Sequence, residues 1–133
     1  MSSTFYNCTS LTTAPTISNN VTNMSGTFQG CTSLTTAPTI PSSVTNMDNT
    51  FSGCTSLTTA PAIPNSVTNM SYTFKGCTSL TGIITINANI NTSYASYYDR
   101  CFYDTVKPIV LTGSSPNLNL LKRTANKGNV TVK

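Results

Sequence analysis

Five cysteines are the residues best suited to chemistry in this chain, and they recur at nearly equal intervals. Cys8, Cys31, Cys54 and Cys77 are 23 residues apart, and Cys101 follows after 24. A zinc site needs convergent ligands, typically in C-x₂₋₄-C pairs, and the sequence contains none. Side chains in one column of a stack point in parallel, which disfavours disulfides even at the spacing of neighbouring strands. We therefore predict buried free thiols that pack as small apolar groups, and no metal or other cofactor.

The residue types needed for catalysis are almost missing. The chain has no histidine and three carboxylates, Asp48, Asp99 and Asp104. A cysteine nucleophile would lack an imidazole base, and paired-carboxylate chemistry would rest on Asp99 and Asp104 in one loop. We predict that the protein is not an enzyme.

The charge distribution argues against nucleic acid and membrane partners. The net charge is +4, and residues 1–90 contain only Asp48 and Lys75, so the basic excess lies near the C-terminal end. A nucleic-acid binder is expected to carry a basic stripe interleaved with aromatic residues, which this chain lacks. No apolar run approaches the 18 or so residues of a membrane span, and the first residues do not resemble a signal peptide.

A repeated phrase explains the cysteine spacing. GCTSLTTAP occurs at 30–38 and 53–61, and NCTSLTTAP at 7–15. We define a unit as the residues from one cysteine to the next: three units are nearly identical, and a fourth, beginning at Cys77, has diverged. Periods of 20 to 50 residues indicate stacked repeats. Thr4-Phe5-Tyr6-Asn7 matches the end of a unit, so we expect the chain to be part of a longer protein.

Each unit divides into an extended half and a returning half. A period of two from Leu34 places residues 34, 36, 38 and 40 inward and Thr35, Ala37 and Thr39 outward. In the fourth unit the same parity turns Ile84 and Ile86 inward. Prolines 15, 38 and 61 interrupt a ladder, so we expect it to be most regular in the fourth unit. The returning half, with Val44, Met47 and Phe51, suits a helical or 3₁₀ turn that Gly53 would end.

The outward threonines form the candidate binding surface. Stacked units would align them in columns of hydroxyl and methyl groups, which could contact a glycan or a protein, or order water as ice-binding solenoids do. Threonine also simply suits an exposed strand. The candidate residues are Thr12, Thr35, Thr58 and Thr81 in one column and Thr16, Thr39 and Thr85 in another. A column of Asn23, Asn46 and Asn69 is instead expected to satisfy backbone groups at the bend.

The C-terminal part is expected to close the stack. We predict Tyr98 at the phenylalanine position, Cys101 at the cysteine position, and strands at 107–113 and 129–133. Between these strands a helix is predicted, with Ser115 as N-cap, Pro116 at its first position and Gly128 after it. Leu118, Leu121 and Ala125 fall on one face of this helix, and Lys122, Arg123 and Lys127 lie toward its C-terminal end. Residues 1–100 thus form the repeats and residues 101–133 a last strand and cap.

Over about residues 4–100 the unit CxxLTxxxxIPxSVTNMxxTFxGC resembles the leucine-rich repeats of the BspA-like surface-protein family. The VTNMSxTFxGC half is especially similar to the form found in bacterial surface lipoproteins, whereas TAPTIP departs from the usual LTxIxIP strand. The resemblance implies a β-rich α/β solenoid: a short right-handed leucine-rich repeat stack with 23-residue units, parallel short strands and a C-terminal helical cap. It also implies an extracellular or cell-surface location and adhesion to a host or bacterial surface protein or glycan. The alternative is a structural spacer, such as a surface stalk or part of a phage fibre, that has no ligand of its own.

Overall fold

A computed structural model describes residues 1–90, 92–115, 117–123 and 128–133 of the chain. Its regular elements lie in the C-terminal half: strand β1 (Gly82–Thr85), a 3₁₀ helix (Thr92–Tyr98), strand β2 (Ile109–Thr112), helix α1 (Leu118–Arg123) and strand β3 (Val130–Val132). The strands form a parallel sheet in the order β1-β2-β3. Gly82 pairs with Ile109, which in turn pairs with Val130.

The extended halves of the first three units are joined by isolated bridges rather than by strands. Thr36 bridges both Thr13 and Thr59, and Ile63 bridges Ile86. Pro15, Pro38 and Pro61 occupy one position of the unit, where the fourth unit has Ile84. Proline cannot donate to a ladder, so a regular strand forms in the unit where isoleucine replaces it. The expectation that the ladder is most regular in the fourth unit is confirmed.

The period-two assignment is correct in the fourth unit and partly wrong before it. Ile84 and Ile86 are buried, and Ile83 between them is 67% exposed. In the second unit Leu34 and Ile40 are buried as predicted, but Thr36 is exposed and Pro38 only partly buried. The proline interrupts the pleat, so two consecutive threonines face solvent.

The returning halves consist of short turns rather than a helix. In the second unit Thr50 N–H donates to the Met47 carbonyl (3.1 Å), and Cys54 N–H donates to the Phe51 carbonyl (3.0 Å). Asn49 and Gly53 have φ values of 54° and 74°. A left-handed residue ends each turn before a helix can propagate. Gly53 therefore ends the return as predicted, and the 3₁₀-like i, i+3 bonds are present without a continuous helix.

Equivalent residues of successive units lie side by side, and we call each such row a file. The phenylalanine file packs its rings in parallel, with centroids of Phe28 and Phe51 5.6 Å apart and those of Phe51 and Phe74 5.7 Å apart. Leucine, valine and methionine files complete the core: Leu34, Leu57, Leu80, Val44, Val67, Met24, Met47 and Met70 are all fully buried. A unit therefore buries its apolar side chains by contact with its neighbours.

The fourth unit is longer than predicted, and its register differs. The Phe74 ring stacks on Phe102 at 5.5 Å, and Met70 N–H donates to the Tyr97 carbonyl where Met47 N–H donates to Asn69. Tyr98 therefore continues the methionine file, and Phe102, not Tyr98, continues the phenylalanine file. The cysteine position falls on Thr105, 28 positions after Cys77. The insertion precedes Tyr98, where the 3₁₀ helix lies.

The C-terminal strands occur where they were predicted, but the start of the helix differs. Ser115 is not the N-cap, because its hydroxyl donates to the Ala88 carbonyl and α1 begins at Leu118. Asn117, with φ of 65°, directly precedes the helix. Leu118 and Leu121 are buried on one face as predicted. The predictions for Pro116, Ala125 and Lys127 lie outside the described residues.

Candidate binding surface

The first threonine file (Thr12, Thr35, Thr58 and Thr81) is exposed along its whole length. Thr58 N–H donates to the Thr35 carbonyl at 3.1 Å, and Thr81 N–H donates to the Thr58 carbonyl at 3.3 Å. The backbone thus holds residues 23 positions apart in register. The file brings together the residues that the sequence predicted would be aligned.

The hydroxyls of this file are partly engaged by the protein itself. Thr58 Oγ1 donates to the Thr35 carbonyl at 3.2 Å, and Thr81 Oγ1 donates to the Pro108 carbonyl at 2.9 Å. A hydroxyl that donates one hydrogen bond still has its oxygen lone pairs available as acceptors. The outward surface of the file therefore offers acceptors and methyl groups in a fixed orientation.

The second threonine file (Thr16, Thr39 and Thr85) runs beside a file of small or apolar residues. Thr16 and Thr39 are exposed and Thr85 is partly buried, and Ala62 stands where the third unit would supply a threonine. Thr112 pairs with Thr85 and extends this file. Sequence analysis missed Thr112, although the predicted strand at 107–113 would have supplied it once its register was fixed.

The file between the two threonine files becomes apolar toward the C-terminal end. Ala14, Ala37 and Ala60 are partly buried, whereas Ile83 is 67% exposed and pairs with Val110 in β2. We call the two threonine files and this middle file together the strand face. Its chemistry is hydroxyl, methyl and aliphatic, and it carries no formal charge.

Surface grooves next to the prolines border the second threonine file. One groove of about 290 Å³ is lined by Pro15, Thr16, Pro38 and Thr39 among others, and one of about 360 Å³ lies a unit further on, between Thr39 and Ala62. The grooves form where the prolines interrupt pairing between units. They repeat with the unit and lie along the same edge.

Four of the five cysteines are buried and Cys8 is exposed, so the prediction of buried thiols is wrong for Cys8. Cys54 Sγ donates to the Phe28 carbonyl at 3.0 Å, and Cys77 Sγ donates to the Phe51 carbonyl at 3.1 Å. Burial raises the pKa of Cys54 and of Cys101 to about 12. Thiols held protonated in this way are poor nucleophiles.

Cys101 does not belong to the cysteine file. It occupies the position of Thr73 in the preceding unit, because Phe74 N–H donates to the Cys101 carbonyl as Phe51 N–H donates to the Thr73 carbonyl. The segment Cys101-Phe102-Tyr103-Asp104-Thr105 aligns with Thr73-Phe74-Lys75-Gly76-Cys77. The position of Phe102 in this segment was the available signal, and the 24-residue cysteine spacing obscured it.

The asparagine file has the structural role predicted for it. The side-chain oxygens of Asn23, Asn46 and Asn69 accept hydrogen bonds from the N–H groups of residues 25, 48 and 71, at 2.8, 2.9 and 3.0 Å. Each bond closes a turn within one unit. These amide oxygens are therefore engaged at the bend.

Across the described ranges, no three His, Cys, Asp or Glu side chains come together in a group that could hold a metal ion. In the same part of the chain, no helix has the length and apolar character needed to cross a membrane.

The aligned files define the class of molecule: a repeat protein in which equivalent residues of successive units pack on one another. The chain belongs to the family described as BspA type Leucine rich repeat region, whose model matches six copies over residues 1–119. This family implies a repeat solenoid and is generally non-catalytic. Neither the curated proteins nor the solved structures gave a match.

Proposed function

We propose that the chain is a non-catalytic, extracellular module of a bacterial surface protein, and that its strand face binds a protein or glycan of a host or bacterial surface. The proposed architecture is a right-handed solenoid of 23-residue units with a helical cap formed by the C-terminal residues. The extracellular location rests on the family, which is typically surface-associated. The ligand contacts proposed are the predicted residues Thr12, Thr35, Thr58, Thr81, Thr16, Thr39 and Thr85.

One observation carries the proposal: exposed threonines of successive units are held in register by backbone hydrogen bonds over four units. A rigid surface of this kind loses little conformational entropy on binding, because its side chains are β-branched and its backbone is fixed. The face is also uncharged, which suits a neutral, hydroxyl-rich ligand.

The test is a paired substitution on the strand face with a matched control. Thr35→Lys with Thr58→Lys places two long cations in the first threonine file, and we expect binding to a glycan array or a panel of purified surface proteins to disappear. The control is Thr45→Lys with Thr68→Lys. These two residues are also exposed, and Thr68 Oγ1 donates to the Thr45 carbonyl at 3.2 Å, as Thr58 does to Thr35. Equal loss in both pairs, or unchanged binding in the first pair, contradicts a site on the strand face.

The second candidate function is a spacer that sets distance between other domains. Engagement of the threonine hydroxyls by the preceding unit favours it, because it gives the threonines a structural purpose without a ligand. If removing one whole unit leaves the biological activity of the parent protein unchanged except for its reach, the spacer function is supported.

A further inference from the structure

Two positions in the returning half vary between units while the letters around them stay constant. The units read VTNMSGTFQG, VTNMDNTFSG and VTNMSYTFKG. Three files are affected: one contains Gly26, Asn49, Tyr72 and Arg100, the next contains Gln29, Ser52, Lys75 and Tyr103, and the third contains Ser25, Asp48, Ser71 and Asp99. Aromatic rings and cations occur in these files only in the last two units. The structure therefore concentrates Tyr72, Lys75, Arg100 and Tyr103 at one place on an otherwise neutral surface.

The backbone at the first of these files favours a small residue. Gly26, Asn49, Tyr72 and Arg100 have φ values of 60°, 54°, 54° and 51°. Glycine and asparagine adopt this left-handed conformation readily, whereas bulky side chains do so at a cost. Tyr72 and Arg100 gain nothing locally from the position, and such outliers are found preferentially at functional sites.

The side chains form a compact cation–aromatic cluster. Lys75 Nζ lies 5.4 Å from the Tyr72 ring centroid. Arg100 Cζ lies 6.0 Å from the Tyr72 centroid and 5.6 Å from the Tyr103 centroid. Two rings thus restrict the Arg100 guanidinium, which reduces the entropy lost when it binds a ligand.

The guanidinium retains unused donors. Its Nε lies 3.8 Å from Asp99 Oδ2, and both side chains are about half exposed, at 54% and 51%. Within the described part of the chain the guanidinium makes no hydrogen bond. Asp99 faces the Nε side, so the paired terminal nitrogens remain available, and a carboxylate fits that pair in a bidentate arrangement.

We propose that Arg100, Tyr72, Tyr103 and Lys75 form a binding site for the carboxylate of an acidic saccharide, separate from the strand face. The two cations outnumber the one nearby carboxylate, Asp99, which gives the site a net positive charge. Asn49 and Ser52 in the unit before it supply neutral amide and hydroxyl groups. Such groups pair with sugar hydroxyls and do not anchor a protein side chain.

The proposal is tested by titrating the whole chain, at low salt, with a glucuronate-containing hexasaccharide and with the same hexasaccharide after reduction of its carboxyl groups. We expect the acidic form to bind and the reduced form to bind at least about tenfold more weakly. Arg100→Asn should cause a similar loss, and Asn49 shows that the same backbone conformation accommodates asparagine. Asp99→Asn removes the competing carboxylate and should tighten binding severalfold.

The control for net charge is Lys107→Gln, which removes one exposed cation elsewhere and should leave affinity unchanged. Three outcomes overturn the proposal: no binding of the acidic saccharide, equal binding by the wild-type and Arg100→Asn proteins, or tighter binding of a hexaglutamate peptide than of the saccharide. The last result would assign the site to an acidic protein. All three outcomes are independent of the threonine substitutions on the strand face.

Discussion

The raised pKa of the Cys54 thiol predicts how stability depends on pH. The pKa is about 12 in the folded chain against an ordinary value of 9.0, and burial is the main cause. Above pH 9 the unfolded chain therefore loses this proton while the folded chain keeps it. The free energy of unfolding should fall by about 1.4 kcal/mol per pH unit between pH 9 and 12 from this group alone.

Chemical denaturation of the wild-type protein and of Cys54→Ala, in reductant from pH 8 to 11.5, measures this contribution. The stability advantage of the wild-type protein should be constant below pH 9 and shrink steadily above it. Lysines, tyrosines and the other thiols titrate in both proteins and cancel in the difference. A difference that does not change with pH would mean that Cys54 is not protected as its burial implies.

Buried and exposed threonine hydroxyls should differ in their contribution to stability. Thr50 is fully buried, and its Oγ1 donates to the Met24 carbonyl at 2.9 Å. Thr58 makes the same kind of bond to Thr35 at the surface. Thr50→Val should lower the free energy of unfolding by about 1 kcal/mol, and Thr58→Val should change it by less than about 0.5 kcal/mol. Urea denaturation measures both, and equal losses would show that burial does not distinguish the two files.

At the scale of elements, β1 depends on having isoleucine instead of proline at position 84. Gly82 N–H donates to the Pro108 carbonyl and Ile86 N–H donates to the Thr112 carbonyl, so alternation directs the Ile84 N–H toward β2. Ile84→Pro restores the phrase of the other units and removes that donor and a buried side chain. We expect a loss of about 3 kcal/mol or more.

Ile84→Val is the matched control, because it keeps the N–H and should cost about 0.5–1.5 kcal/mol. Hydrogen exchange followed by NMR should show that Ile84→Pro loses protection in β1 and β2 while the phenylalanine file of the first three units stays protected. Retained protection of Val110 and Leu111 in the proline variant would contradict this account of how the ladder forms.

The elements show which features the sequence could predict. The apolar files, the glycine turns and the position of β1 follow from the spacing of Leu34, Phe51, Gly53 and Ile84 within the unit. The register of the fourth unit does not, because an insertion ahead of Tyr98 keeps Cys101 near its expected spacing while Phe102 takes the ring position. Likewise, the cluster around Arg100 depends on that register, so sequence analysis could not bring Tyr72 and Tyr103 together.

At the scale of the molecule, stability should behave as a sum over neighbouring units. Deleting residues 54–76 removes one unit of 23 residues and joins Gly53 to Cys77, so every file remains aligned. The second unit would then stack on the fourth, with Phe51 against Phe102. We expect a cooperatively folded protein with a lower Tm, because one shared apolar interface is lost.

Deleting residues 54–75 instead retains one extra residue, Gly76, and is the matched control. The chain is nearly the same length, but the second and fourth units no longer follow one another in phase. Left-handed positions such as Asn49 and Arg100, together with the rings of Phe51 and Phe102, would have to align across a displaced junction. We expect this variant to unfold well below the 23-residue deletion in a thermal melt followed by circular dichroism. If both deletions melt at the same temperature, the register between units does not hold the molecule together.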